Sequence, residues 1–159
     1  DPDSFARKHN ATDYQAHINA SDVKRVYDLF NGHTFYIQKT FNESFADTRE
    51  GEVCTLDTIR TAINNIIASN DTIFREILSN IPEKQKELLY AIAKDGKAEQ
   101  ITSAEFIKRH RLTSASSVQS ATKKLLEKDI ITERNKVYSL NDKLFAMWIN
   151  KLYGNTTML

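Results

Sequence analysis

The segment SASSVQSATKKLLEK, residues 114–128, gathers side chains suited to touching a nucleic acid. Ser116, Ser117 and Ser120 are small enough to admit close approach. Gln119 offers a donor and an acceptor that match an adenine edge, and Lys123 and Lys124 can neutralise phosphates. Arg134 and Lys136, at the tip of a hairpin expected just downstream, add two cations for backbone contacts. Two features work against strong binding. Glu127 shares the face with the lysines, and the segment has no arginine, the usual reader of guanine.

Other chemistries find less support in the sequence. A phosphate-binding loop needs glycines ahead of Lys-Ser or Lys-Thr, so that backbone N–H groups surround the anion. Here Gly96-Lys97 is followed by Ala98 and preceded five residues earlier by Ala91, which describes a loop only. His9, His17, His33 and His110 have no metal-ligand spacing and read as surface or capping groups, so no metal is expected. Carboxylates such as Glu50 and Glu52 lie in a polar break and read as solvated charge. Cys54 is the single cysteine, which excludes an internal disulfide and fits a reducing cytoplasm. Asn-x-Ser/Thr triplets at Asn10, Asn19, Asn42, Asn70 and Asn155 read as chance in the absence of a signal peptide. No nucleophile, base and acid combine into a hydrolase, so catalysis is not expected of this chain.

The elements that must position the basic segment follow from hydrophobic period and punctuation. Advancing 100° per residue along the helix expected there puts Ala115, Val118, Ala121, Thr122, Leu125 and Leu126 on an inner face. Ser116, Ser120, Lys123, Lys124 and Glu127 fall on the outer one, flanked by Ser117 and Gln119. Before it, EKQKELLYAIAKDG reads as a helix ending near Gly96. Thr102 and Glu105 have capping-box spacing ahead of a short second helix carrying Phe106 and Ile107. After it, DIITERNKVYSL supplies two short strands joined at Asn135. NDKLFAMWINKLY then closes as a helix with Leu144, Phe145, Trp148 and Leu152 inward. Three helices, a hairpin and a helix make a winged helix-turn-helix order.

Upstream, a short helix is expected around Phe5 to His9. A second has Ser21 as its N-cap, with Val23, Val26, Tyr27 and Phe30 on one stripe and Gly32 beyond its end. Another begins at His33 or Thr34 and presents Phe35, Ile37, Phe41 and Phe45. From Thr55 the helical period holds through Leu56, Ile59, Ile63, Ile66, Ile67, Phe74, Ile77 and Leu78, about six turns. Pro82, welcome only in a helix's first turn, marks the seam between a helical bundle at 1–80 and a winged-helix domain at 81–159.

Charge supports two modules. Residues 1–82 carry 8 Lys and Arg against 12 Asp and Glu, whereas 83–159 carry 14 against 9. The expected class is mainly α, with a soluble globular composition and a cytoplasmic location. No apolar run reaches membrane-spanning length, so no membrane partner is expected. The chain begins Asp1-Pro2 rather than with methionine, as expected of a piece of a longer protein.

Two stretches resemble a known family. YDLFNGHTFYIQ, Tyr27 to Gln38, is similar to the helical lid of archaeal-type AAA+ ATPases, relatives of the origin-recognition and signal-transduction NTPases. In that family a Gly-His-aromatic segment begins a lid helix. Leu78 to Ile149 resembles the winged-helix module that follows such a lid, most specifically through SASSVQ, LLEKDII and YSLNDKLFAMWI. The resemblance implies a carboxy-terminal, non-catalytic fragment whose ATPase core lies upstream. ATP and magnesium would belong to the full-length protein, with no cofactor in the fragment. It also carries nucleotide approach over to Gly32, His33 and Thr34. Where many such lids carry an arginine near the helix start, Phe35 and Tyr36 stand here, and Lys39 is the nearest cation. The expected partners are the chain's own ATPase core and either double-stranded DNA or a protein bound by the winged helix. The alternative is a free-standing winged-helix DNA-binding transcriptional regulator with a helical dimerisation module.

Overall fold

Between residues 17 and 153, the part described by the computed structural model, hydrophobic stripes and turn residues resolve into short strands and eight helices. In order these are β1 (His17–Ile18), α1 (Ala20–Leu29), α2 (Thr34–Ala46), β2 (Val53–Cys54), α3 (Leu56–Ser69), α4 (Asp71–Ser79) and α5 (Glu83–Asp95). There follow β3 (Ala98–Glu99), α6 (Ala104–His110), α7 (Ala115–Glu127), β4 (Ile131–Arg134), β5 (Val137–Leu140) and α8 (Lys143–Leu152). The mainly helical class read from the sequence is the one observed. The helix expected at Phe5–His9 lies outside the described residues, as do His9, Asn10 and Asn155. Contacts divide the described chain into two units, 17–69 and 70–153.

The first unit buries one stripe from each of three helices: Val23 and Val26 of α1, Ile37 and Phe41 of α2, and Ile59, Ile63, Ile66 and Ile67 of α3. α1 starts two residues earlier than expected. Asn19, with extended backbone and no side-chain cap, precedes it, and Ser21 lies within the helix. α1 ends where Asn31 and Gly32 take left-handed backbone, φ 51° and 76°, letting the Gly32 N–H reach the Tyr27 carbonyl at 3.0 Å. Phe35, expected inward, is 60% exposed because it sits in the first turn of α2, two residues before Ile37 and so nearly opposite the Ile37–Phe41 stripe. A two-residue parallel pairing of β1 with β2, Ile18 opposite Cys54, was not foreseen. Within α2 the buried Ser44 hydroxyl donates to the Thr40 carbonyl at 2.7 Å. The Thr40 hydroxyl, also buried, has no hydrogen-bond partner among the described residues.

The long helix read from Thr55 to Leu78 is two helices. The chain turns at Asn70, and Asp71 begins α4. α4 then packs within the second unit, where Phe74 lies 5.2 Å from Phe145 and 5.7 Å from Trp148, ring centre to ring centre. The Asp71 carboxylate accepts from Trp148 Nε1 at 2.8 Å and from Arg75 Nε at 2.8 Å. The division between units thus falls at Asn70, whereas the proline-based reading set the seam at Pro82. Pro82 does directly precede α5, as the residue ahead of its first turn.

α5 is the central helix of this unit, burying Leu88, Leu89 and Ile92. Gly96, at φ 70°, ends it. α6 is capped by Ser103, whose hydroxyl accepts from the Phe106 N–H. The cap is one residue later than the Thr102 expected. β4 and β5 form the hairpin in antiparallel register, Glu133 opposite Tyr138 and Arg134 opposite Val137, and β3 adds a third strand on the free edge of β5. In α8 Leu144, Phe145 and Trp148 are buried as expected, while Leu152, in the last turn, is 43% exposed. Among the described residues no helix is long and apolar enough to cross a membrane.

Candidate functional site

α7 is built to show one face. Ser114, extended at φ −165°, caps it by accepting from the Ser117 N–H at 3.2 Å. Val118, Ala121, Thr122 and Leu125 are buried, and Thr122 folds its hydroxyl back onto the Val118 carbonyl at 2.7 Å. Leu126 is half-buried. Ala115, expected inward, is exposed in the first turn, where the helix stands clear of the core. Ser116, Gln119, Ser120, Lys123, Lys124 and Glu127 are all exposed, and Ser117 is half-buried. The outer face expected of this helix is therefore the observed one.

Its charges are not all equally available. Lys124 Nζ binds Glu127 Oε2 at 2.9 Å, and that hydrogen bond holds the Glu127 carboxyl below its ordinary range. Lys123, Arg134 and Lys136 make no ion pair within 4.0 Å among the described residues. Ser116 is turned toward the cap, its hydroxyl 3.1 Å from that of Ser114.

The wing completes the surface. Its turn consists of Asn135 and Lys136, both left-handed at φ 53° and 64°, the two-residue geometry that matches the twist of paired strands. Glycine is the usual second residue of such a turn, and a lysine there costs about 1 kcal/mol of backbone strain. Between the wing and α7 lies an open groove of about 530 Å³, walled by Gln119 and Lys123 on one side and by Glu133, Lys136 and Tyr138 on the other, with Gln100 and Thr102 also lining it. Burial, then the facing Glu133 carboxylate, pushes the Tyr138 hydroxyl above its ordinary pKa.

The groove thus brings together Gln119, Lys123 and Lys136. Ser116, Ser117, Ser120, Lys124 and Arg134 do not line it. Sequence reasoning missed Gln100 and Tyr138, because the third strand that carries the chain past Gln100 is only two residues long. It also missed Lys84, whose ammonium meets the Thr113 hydroxyl at 2.8 Å, just ahead of the α7 cap. Twenty-nine residues separate those two, and nothing local signals the pairing. The turn before α7 is held from behind, since Asp95 Oδ2 contacts Arg109 Nη2 at 2.6 Å and His110 Nε2 at 3.1 Å, tying the end of α6 to the end of α5.

A second hollow, of about 430 Å³, lies beside Ile77, Ile81 and Phe145. Its polar groups already serve the fold. Asp142 caps α8 through the Leu144 and Phe145 N–H groups, and the Asn141 amide donates to the Asp129 carbonyl.

Gly32, His33 and Thr34 form the turn into α2. His33 precedes the helix without a side-chain cap, its exposed ring stacked 4.8 Å from that of Tyr36, and Thr34 is exposed. Gly32 leaves little room, since a Cβ there would stand 3.4 Å from the Tyr27 hydroxyl. The Gly96-Lys97 loop turns directly into β3, with the Lys97 N–H directed to the Asp95 carbonyl at 2.7 Å. In both places the backbone N–H groups of Gly32, His33, Gly96 and Lys97 are spent on carbonyls of the fold and do not form the ring of inward donors that cradles a triphosphate.

Comparison with known proteins gives a family and a fold. A family model described as a probable winged helix domain matches residues 72–151. Among solved structures, the chain is similar to a Walker-type ATPase of Pyrococcus abyssi, with a TM-score of 0.56 and 12% identity, over 94% of this chain and 39% of that one. The chain accordingly spans about two fifths of that ATPase, and at such identity the likeness is one of fold. No curated protein matches.

Proposed function

Since this chain belongs to the family of probable winged helix domains, we propose that residues 70–153 dock double-stranded DNA through the exposed face of α7 and the wing. In the same reading the module has no catalysis of its own and serves as the output end of a longer Walker-type ATPase. The observation that carries the DNA reading is the groove in which Lys123 and Lys136 stand on opposite walls, neither engaged in an ion pair among the described residues. Residues 108–136 hold eight Lys and Arg against three Asp and Glu, so the cations concentrate on the helix-turn-helix and wing rather than spreading over the unit. Lys136 adds a further argument. The wing keeps a cation at a backbone conformation that glycine would occupy with less strain, and such strain is retained where a side chain is used.

The ATPase part of the reading is supported by the likeness of fold over 94% of this chain and by the resemblance of the Tyr27–Gln38 stretch to an AAA+ lid. The unit at 17–69 is then lid-like, and the Gly32-His33-Thr34 turn, with His33 and Thr34 exposed, is the part that would meet a nucleotide-binding core. The nucleotide itself belongs to that core. What this chain contributes is an output module, whose α7 and wing are the part offered to DNA.

The test of the DNA reading is the salt dependence of duplex binding by the chain. Each lysine on a phosphate contributes about 0.9 to the slope of log K against log salt. Lys123→Ala and Lys136→Gly, the latter preserving the turn, are each expected to reduce the slope by about that amount. Absence of binding at low salt would reject DNA and turn the same face over to a protein partner.

A further inference from the structure

Resting on the duplex reading above, we propose that Gln119 gives this winged helix a preference for A·T over G·C base pairs, read in the major groove. Gln119 is exposed, lines the groove, and its amide has no hydrogen-bond partner among the described residues. It lies in the amino-terminal half of α7, the half of a recognition helix that approaches base edges. Its neighbours on the exposed face, Ser116 and Ser120, are short, so the helix backbone can come close without a long side chain holding it off.

The opposite end of the face is unsuited to entry. Lys123 is one turn further on, and Glu127, still charged and bound to Lys124, closes the stripe with a carboxylate that phosphates repel. The helix therefore enters by its serine end, with Lys123 at the rim and Lys136 facing it from the wing. In that pose Gln119 is the long side chain directed at bases. A carboxamide presents one acceptor and one donor, the complement of the adenine N6–H donor and N7 acceptor. Guanine presents two acceptors there and calls for a double donor such as a guanidinium. α7 contains no arginine, and among the described residues no arginine lines the groove.

The experiment is a competition measurement with the full 159-residue chain and duplexes of about 20 base pairs, two helical turns, whose central segment is mixed-sequence A·T or all G·C. The wild type is expected to prefer the A·T duplex by about tenfold, the scale of one bidentate contact. Gln119→Ala removes the preference, weakening the A·T duplex by about tenfold more than the G·C duplex. Replacing the central adenines by the deaza analogue that lacks the N7 acceptor also removes it, although the minor groove is intact. Lys123→Ala, by contrast, weakens both duplexes equally. No preference in the wild type, or a preference that survives Gln119→Ala or the deaza analogue, overturns this assignment while leaving DNA binding in place. Failure of both duplexes to bind at low salt overturns the duplex reading and the assignment together.

Discussion

Replacing Phe74 by alanine probes the least expected feature of the fold, the inclusion of α4 in the winged-helix unit. Phe74 is 3% exposed and packs its ring against Phe145 and Trp148 of α8, at 5.2 and 5.7 Å. Truncating a buried phenylalanine removes its transfer free energy and leaves a cavity, together about 3 to 5 kcal/mol. At a urea dependence of about 1.5 kcal/mol per molar, that moves the unfolding midpoint down by roughly 2 to 3 M. Trp148 is the single tryptophan of the chain and touches Phe74, so its fluorescence reports this unit selectively, with circular dichroism as a check on the altered baseline. The adjacent Ile73 is the internal control: at 55% exposure, Ile73→Ala is expected to change stability by no more than about 0.5 kcal/mol. Equal, small effects of the two substitutions on the Trp148 transition would refute the placement of α4.

Two further outcomes follow from individual groups. Thr40→Val removes a buried hydroxyl that has no partner among the described residues while keeping the side chain's shape, and is expected to stabilise the chain by about 1 kcal/mol in thermal or urea unfolding. Arg75 and then Trp148 hold the Asp71 carboxyl below the ordinary aspartate range. Because the folded-state pKa is the lower one, this contribution is complete above the unfolded value of about 4 and disappears as pH falls through the folded value. Urea midpoints read by Trp148 should decline in that acidic window for the wild type and less steeply for Asp71→Asn.

The face of α7 was legible because one surface of an isolated helix depends only on the helical period and on a serine cap close by in sequence. The hairpin was legible for the same local reason, two alternating runs around Asn135. What escaped was decided by neighbours distant in sequence. Between Leu56 and Leu78 there is no glycine or proline, and the polar run Ser69-Asn70-Asp71-Thr72 is the one local sign of the turn, easily read as the solvated face of a continuing helix. Only the packing of Phe74 on α8 assigns the second half of that stretch to another unit. β3 pairs through two residues, too few for alternation to show, yet it carries the chain past Gln100 into the groove. Lys84 reaches Thr113 across the fold. Phe35 and Leu152 were assigned inward for being apolar, but Phe35 lies off the Ile37–Phe41 stripe and each stands in a terminal turn of its helix.

Whether α7 and the wing together form a DNA-binding face is tested most directly by mapping contact on isotope-labelled protein titrated with a duplex at low salt. Amide shifts concentrated in residues 115–124 and 133–137, with the residues of α4 and α8 unmoved, are the predicted result. Shifts centred on the hollow beside Ile77 and Ile81, or no shifts at saturating duplex, would contradict it.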